Sequence, residues 1–188
     1  DYYEAIGAVT ARHEGTLIRF DGDGVMVGVN APVACEDPAH RGIRLAIDMQ
    51  AAVQSLASAW YVDGCALGFG VGIAMGPATV GTLGYQGRLD YTAIGNVINL
   101  ASRLCSLADD GQILVDPVIT EHVQDSIALA SVGEQPIKGY DRDLEVFAVV
   151  RKYATTRHLG HPFVPGHVRS AAAGCGKATL ELAETEAV

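Results

Sequence analysis

A chain of 188 residues and 19.7 kDa, 49% apolar with a mean hydropathy of +0.21, has enough apolar material for a single domain with a sizeable core, which excludes disorder for the bulk of it. The formal net charge of -9, from 22 Asp and Glu against 13 Lys and Arg, comes with no basic run along any strand or helix, so a surface built for nucleic acid is excluded. Cys35, Cys65, Cys105 and Cys175 form no Cys-x-x-Cys pair, which excludes a zinc framework or thioredoxin-like motif and suits buried free thiols in a reducing compartment.

No apolar stretch reaches membrane-spanning length, and the first residues lack the basic-then-apolar order of a signal peptide. A cytoplasmic location without membrane contact is expected. The chain opens on Asp1 inside a helical pattern, so a preceding segment is expected too.

Residues 2–13 place Tyr2, Tyr3, Ala5, Ile6, Val9 and Thr10 at helical spacings, with Gly15 as the stop. Thr16 to Phe20 and Val25 to Val29 then read as strands joined by the hairpin signal Asp21-Gly22-Asp23-Gly24. Pro38 to Ala59 reads as a long helix whose apolar face takes in Ile43, Ala46, Ile47, Gln50, Val53 and Ala57, and Asp63-Gly64 as a turn. From Leu67 to Met75 large apolar residues alternate with Gly or Ala, which predicts a strand with one nearly bare face that another element approaches closely.

Thr79 to Leu83 resumes an extended pattern after Gly76-Pro77, with a turn at Gly84 to Arg88. In the helix from Gly95 to Leu107, Val97, Leu100, Ala101, Leu104 and Ala108 form one stripe while Asn99, Arg103 and Ser106 point the other way. A strand over Gln112 to Val115, a helix from Pro117 to Val123 capped by Asp116, and strands over Ile127 to Val132 and Leu144 to Val150 complete the pattern. Residues 151–188 change character and read as an extension: mobile in part, or ending in a weakly packed helix from Lys177 to Thr185. His158, His161 and His167 in it have no acid or cysteine nearby to complete a metal site.

The mixture of helices and strands favours an α+β or α/β sandwich with several antiparallel strands. Neither Gly68, Gly70 and Gly72 nor Gly174-Cys175-Gly176-Lys177 has the spacing of a phosphate-binding loop. An acidic chain still binds a nucleotide when a metal ion and one or two cations carry the contact. Asp23, between Gly22 and Gly24, is the candidate metal ligand, and strand geometry sets it apart from Asp21; a solvated Asp-Gly hairpin is the plain alternative. Arg103 offers a fork of donors for phosphate and Asn99, one turn earlier, a donor for ribose; alternatively Arg103 pairs with Asp109 or Asp110.

Four stretches together closely resemble the class III adenylate and guanylate cyclase catalytic domain: Gly22-Asp23-Gly24-Val25-Met26, the strand from Phe69 to Pro77, Gly81-Thr82-Leu83-Gly84, and the run from Leu89 through Asn99 and Arg103 to Leu104. The resemblance implies a ferredoxin-like sandwich, a mostly antiparallel sheet flanked by helices, over residues 1–150. It further implies conversion of a nucleoside triphosphate to the 3′,5′-cyclic monophosphate and diphosphate, with two Mg²⁺ or Mn²⁺ ions at a site shared across a homodimer. On that pattern Asp23 is the second metal aspartate, with Gly22 and Gly24 beside the phosphates, and Asn99 and Arg103 act from the other subunit. Arg19 and Thr92 match the base-reading positions; ATP is preferred over GTP, since no acid to read guanine is apparent. Gly84 to Arg88 resembles the variable arm that reaches over the partner in such dimers, with Tyr85 and Arg88 as interface candidates; a solvated hairpin is equally allowed by its residues.

The family's first metal aspartate lies on a strand before the helix that opens this chain, so that strand is expected in a longer parent with a sensor or regulatory domain upstream. Without it, an impaired cyclase-like nucleotide-binding or regulatory domain is the alternative. A guanylate cyclase, and an unrelated α/β domain with a merely structural hairpin, are the others.

Overall fold

The computed structural model describes residues 1–59, 68–150 and 175–184, the last ten and residues 58–59 as backbone only. In chain order the elements are α1 (Tyr2–Arg12), β1 (Thr16–Asp21), β2 (Gly24–Val29), α2 (Pro38–Ala59), β3 (Gly68–Pro77), β4 (Thr79–Tyr85), β5 (Arg88–Ile94), α3 (Asn96–Leu107), β6 (Ile113–Val115), α4 (Pro117–Val123), β7 (Leu129–Gln135), β8 (Leu144–Val149) and β9 (Cys175–Glu184). The large sheet runs β1-β2-β9-β3-β6-β8-β7, and β4 and β5 form a separate ribbon. Antiparallel pairs lie at its edges and in the ribbon, whereas β2 with β9, β9 with β3, and β3 with β6 are parallel. The whole is a mixed α/β sandwich with a central sheet flanked by helices.

One face of the sheet carries α1, α2 and α4 over a core that includes Ile6, Val27, Ile43, Met49, Val71, Ile73 and Ile119. The other face carries α3, whose stripe of Val97, Leu100, Ala101, Leu104 and Ala108 is buried against Ala74, Leu114 and Val146. The bare face of β3 is where α3 docks. A Cβ added to Gly72 would sit 2.1 Å from the Cys105 amide nitrogen, and one added to Gly70 would sit 2.8 Å from the Ala108 carbonyl oxygen. Glycine at these positions lets a helix backbone lie directly on a strand.

Asp116 caps α4 as its position suggests: its carboxylate accepts from the Ile119 amide at 3.0 Å and from the Met75 amide at 3.2 Å. Burial pushes this carboxyl up to about 6, against the pull of those N–H groups. Gln50, counted within the apolar face of α2, is buried as a donor instead, giving its amide to the carbonyls of Phe69 and Gln112 at 3.1 Å each. The first helix ends at Arg12, one turn before Gly15, and the left-handed residue there is Glu14 at φ 54°.

The tail corrects the reading of a terminal helix at Lys177 to Thr185. Cys175–Glu184 is a strand, inserted between β2 and β3 with Ala178 opposite both Val25 and Val71. Its Ala, Leu and Glu are good helix formers, but local propensity is small beside tertiary pairing, and strand partners on both flanks outweigh it. The turn at Asp63-Gly64, Cys65, and His158, His161 and His167 lie outside the described residues. Of the cysteines described with side chains, Cys35 is half-buried and Cys105 is buried.

Candidate active site

The β1–β2 hairpin closes tightly because Asp21 pairs with Gly24 and Gly22 takes φ +63°, the left-handed conformation that a side chain resists. Its tip is exposed, and among the described residues the Asp23 carboxylate accepts no hydrogen bond and makes no ion pair. An uncommitted carboxylate is the donor that a hard divalent cation takes, usually one or two together with substrate phosphates, so Asp23 fits such an ion. No group of three or more His, Cys, Asp or Glu side chains among the described residues is placed to hold a metal by itself.

Asp23 lines a cavity of about 180 Å³ with Arg19, Asp21, Gly24, Val25, Met26, Ser102, Cys105 and Ser106. This corrects the separation of the two acids: the turn brings Asp21 to the same cavity, where it also stands 3.9 Å from the Arg19 guanidinium. Residues two apart share a face only along an unbroken extended strand, and a turn with Gly22 left-handed lies between these two; that turn nonetheless leaves both acids at one cavity. Ser102 and Cys105 were not foreseen in the cavity. Their helical positions flank the polar face carrying Ser106, whose hydroxyl donates to the Ser102 carbonyl at 2.9 Å.

A second cleft, about 780 Å³, opens between β1 and the β4–β5 ribbon. Arg19 and Thr92 both line it, so the two base-reading candidates, far apart in sequence, share one wall space. Tyr85 and Arg88 line the same cleft, on either side of the turn at Gln86-Gly87. Asp90 lines it as well, 3.5 Å from Arg88.

Asn99 and Arg103 are exposed on the solvent side of α3, one turn apart, and neither lines the cavity that holds Asp23. Among the described residues Arg103 makes no ion pair. Of the acids offered as its alternative partners, Asp110 accepts from the Phe69 amide at 2.8 Å, and among the described residues neither Asp109 nor Asp110 forms an ion pair with Arg103. One chain therefore presents an uncommitted carboxylate and an uncommitted guanidinium at separate places. No helix among the described residues is long and apolar enough to cross a membrane.

Residues 1–151 match the family model of the adenylate and guanylate cyclase catalytic domain. Adenylate cyclase 1 of Rhizobium meliloti is 32% identical over 153 residues, covering 80% of this chain and 23% of that protein. An adenylate cyclase of Mycobacterium tuberculosis is 28% identical over 169 residues, 90% of this chain and 35% of its own length. The chain thus spans about a quarter to a third of these relatives. Among solved structures, the adenylyl cyclase CyaB of P. aeruginosa superposes with a TM-score of 0.68 at 26% identity, over 85% of this chain and 82% of that one. The guanylyl cyclase Cya2 does so with a TM-score of 0.68 at 28% identity, over 79% and 76%.

Proposed function

Because this chain belongs to the adenylate and guanylate cyclase catalytic-domain family, we propose that it converts ATP to 3′,5′-cyclic AMP and diphosphate at a site completed by a second copy of itself. The supporting observation is the pair of uncommitted groups, Asp23 and Arg103, exposed at separate places on one chain. A head-to-tail pair of chains would bring the hairpin of one to the helix of the other.

In that site the cleft between β1 and the ribbon takes the purine, with the Thr92 hydroxyl and the Arg19 guanidinium as its polar contacts. Asn99 donates to the ribose, and the Arg103 fork holds the phosphate on which negative charge accumulates as the ring closes. Asp23 holds one of two divalent cations, Mg²⁺ or Mn²⁺, whose chemistry there is to lower the pKa of the ribose 3′-hydroxyl and neutralise phosphate charge. Gly22 and Gly24 keep side chains away from the phosphates. No protein nucleophile is needed, since the substrate supplies its own hydroxyl. Asp90 in the cleft supports a second reading, that guanine is accepted too.

The test is to express the native-length protein and measure cyclic AMP and cyclic GMP from ATP and GTP with Mg²⁺ and with Mn²⁺. Asp23→Ala and Arg103→Ala each abolish product, and mixing the two restores part of it, because one interface of the mixed dimer keeps both groups. Absence of rescue in a verified heterodimer refutes a shared site, and a dominant cyclic GMP product replaces ATP with GTP as substrate.

A further inference from the structure

The turn that carries Asp23 has no packing of its own: a Cβ on Gly22 would meet nothing within 4 Å, and Asp21, Gly22 and Asp23 are all exposed. A two-residue turn leaves its carbonyls without strand partners, and such a tip is free to rock. Here both carbonyls are taken. The Tyr2 hydroxyl donates to the Asp23 carbonyl at 3.0 Å and the Tyr3 hydroxyl to the Gly22 carbonyl at 2.9 Å.

The phenols are themselves held. The Tyr3 ring lies 4.3 Å from that of Phe20 and 5.4 Å from that of Tyr2, tilted in both pairs, so the aromatic stack runs from the first turn of α1 onto β1 beside the hairpin. We infer that Tyr2 and Tyr3 are positioning residues for the metal carboxylate: by pinning the two peptide groups of the turn they fix the direction in which Asp23 projects and make the first turn of α1 move with the hairpin. The inference rests on the reading of Asp23 as a metal ligand. Nothing else anchors the carboxylate among the described residues, so its direction is inherited from the backbone that the tyrosines hold.

Burial, and then the charge of Asp23, push the Tyr2 phenol up to about 12, which keeps it a neutral donor at every working pH.

The experiment is Mn²⁺ binding to the full chain, read from loss of the free-ion electron paramagnetic resonance signal, for the parent, Asp23→Ala, Tyr2→Phe, Tyr3→Phe and the double phenylalanine variant. Phenylalanine keeps the ring stack and removes only the donors, so folding is retained. Expected is a Mn²⁺ affinity about tenfold weaker in the double variant, the cost of two hydrogen bonds that hold the ligand in place, with each single variant in between. In turnover the same variants raise the Mn²⁺ concentration for half-activation and leave the nucleotide KM at saturating metal within twofold, a split that general loosening would not produce. If Asp23→Ala abolishes binding while the double variant binds like the parent, the inference is overturned and the metal reading stands. If Asp23→Ala binds Mn²⁺ like the parent, the metal reading fails and the inference with it.

Discussion

The amide nitrogen of Cys105 lies 2.1 Å from the point where a side chain on Gly72 would begin. That contact sets the height of α3 above the sheet, and with it the position of Asn99 and Arg103 at the other side of the helix.

Gly72→Ala cannot be absorbed by a rotamer change, since the clash is with helix backbone. It should cost about 3 kcal/mol or more in urea unfolding, at the upper end of overpacking, and lower turnover further by lifting the Arg103 face. Gly81→Ala, on the ribbon with nothing within 4 Å, is the matched control and should stay within about 0.5 kcal/mol of the parent. Equal effects of the two would show that α3 is not seated on β3 as described.

Gln50→Met is expected to be nearly silent despite complete burial. The carbonyls that Gln50 serves each keep a backbone donor, Gly111 for Phe69 and Val71 for Gln112, and the Gln50 Oε1 has no partner to lose. Replacing an incompletely satisfied amide by a side chain of similar volume should change stability by less than about 1 kcal/mol. A loss of 3 kcal/mol in chemical denaturation would mean that the amide bonds, not the backbone pairs, hold β3 to the segment after α3.

Asp116 gives the fold a pH dependence of unusual sign. Its carboxyl is raised to about 6 in the folded state, so the native chain keeps this proton while the unfolded chain releases it. Below about pH 4 both states are protonated and the group contributes nothing; as pH rises through 4 to 6 stability is lost, and above 6 the loss is complete. Lowering the pH from 7.5 to 5 should therefore stabilise the parent by about 1 to 1.5 kcal/mol relative to Asp116→Asn, measured by denaturant titration at the two values. Parallel behaviour of the two proteins would place the Asp116 proton elsewhere.

Thr92→Ala removes a hydroxyl from the cleft that Arg19 shares. Expected is a fall of about tenfold in kcat/KM for ATP with GTP nearly unaffected, the size of one lost polar contact. A uniform loss for both nucleotides would assign Thr92 a structural part in β5 instead of base choice.

Local pattern made much of this legible. The alternation of glycine with bulky residues in β3 announced a close neighbour on its bare side without saying which, and the stripe of α3 announced which residues would face down; both are consequences of period, which a sequence carries explicitly. The hairpin was equally plain from Asp-Gly-Asp-Gly. What the sequence could not carry was direction in space: that Asp21 and Asp23 would line one cavity across the turn at Gly22, or that Asp90 would line the same cleft as Arg19 from a ribbon some seventy residues on. The tail failed for a different reason, since a run such as Thr179 to Ala183 suits helix or strand and only the two flanking strands decide.

Because β9 runs parallel to β2, a force applied at Glu184 and opposed at Gly24 would load their shared ladder in shear, all rungs at once, instead of peeling it open rung by rung. The ribbon bearing Asp23 is thereby moored mechanically to the middle of the sheet through a single strand. A tether fused at that point would report on the Asp23 hairpin more directly than one attached to the ribbon of β4 and β5, which hangs outside the large sheet.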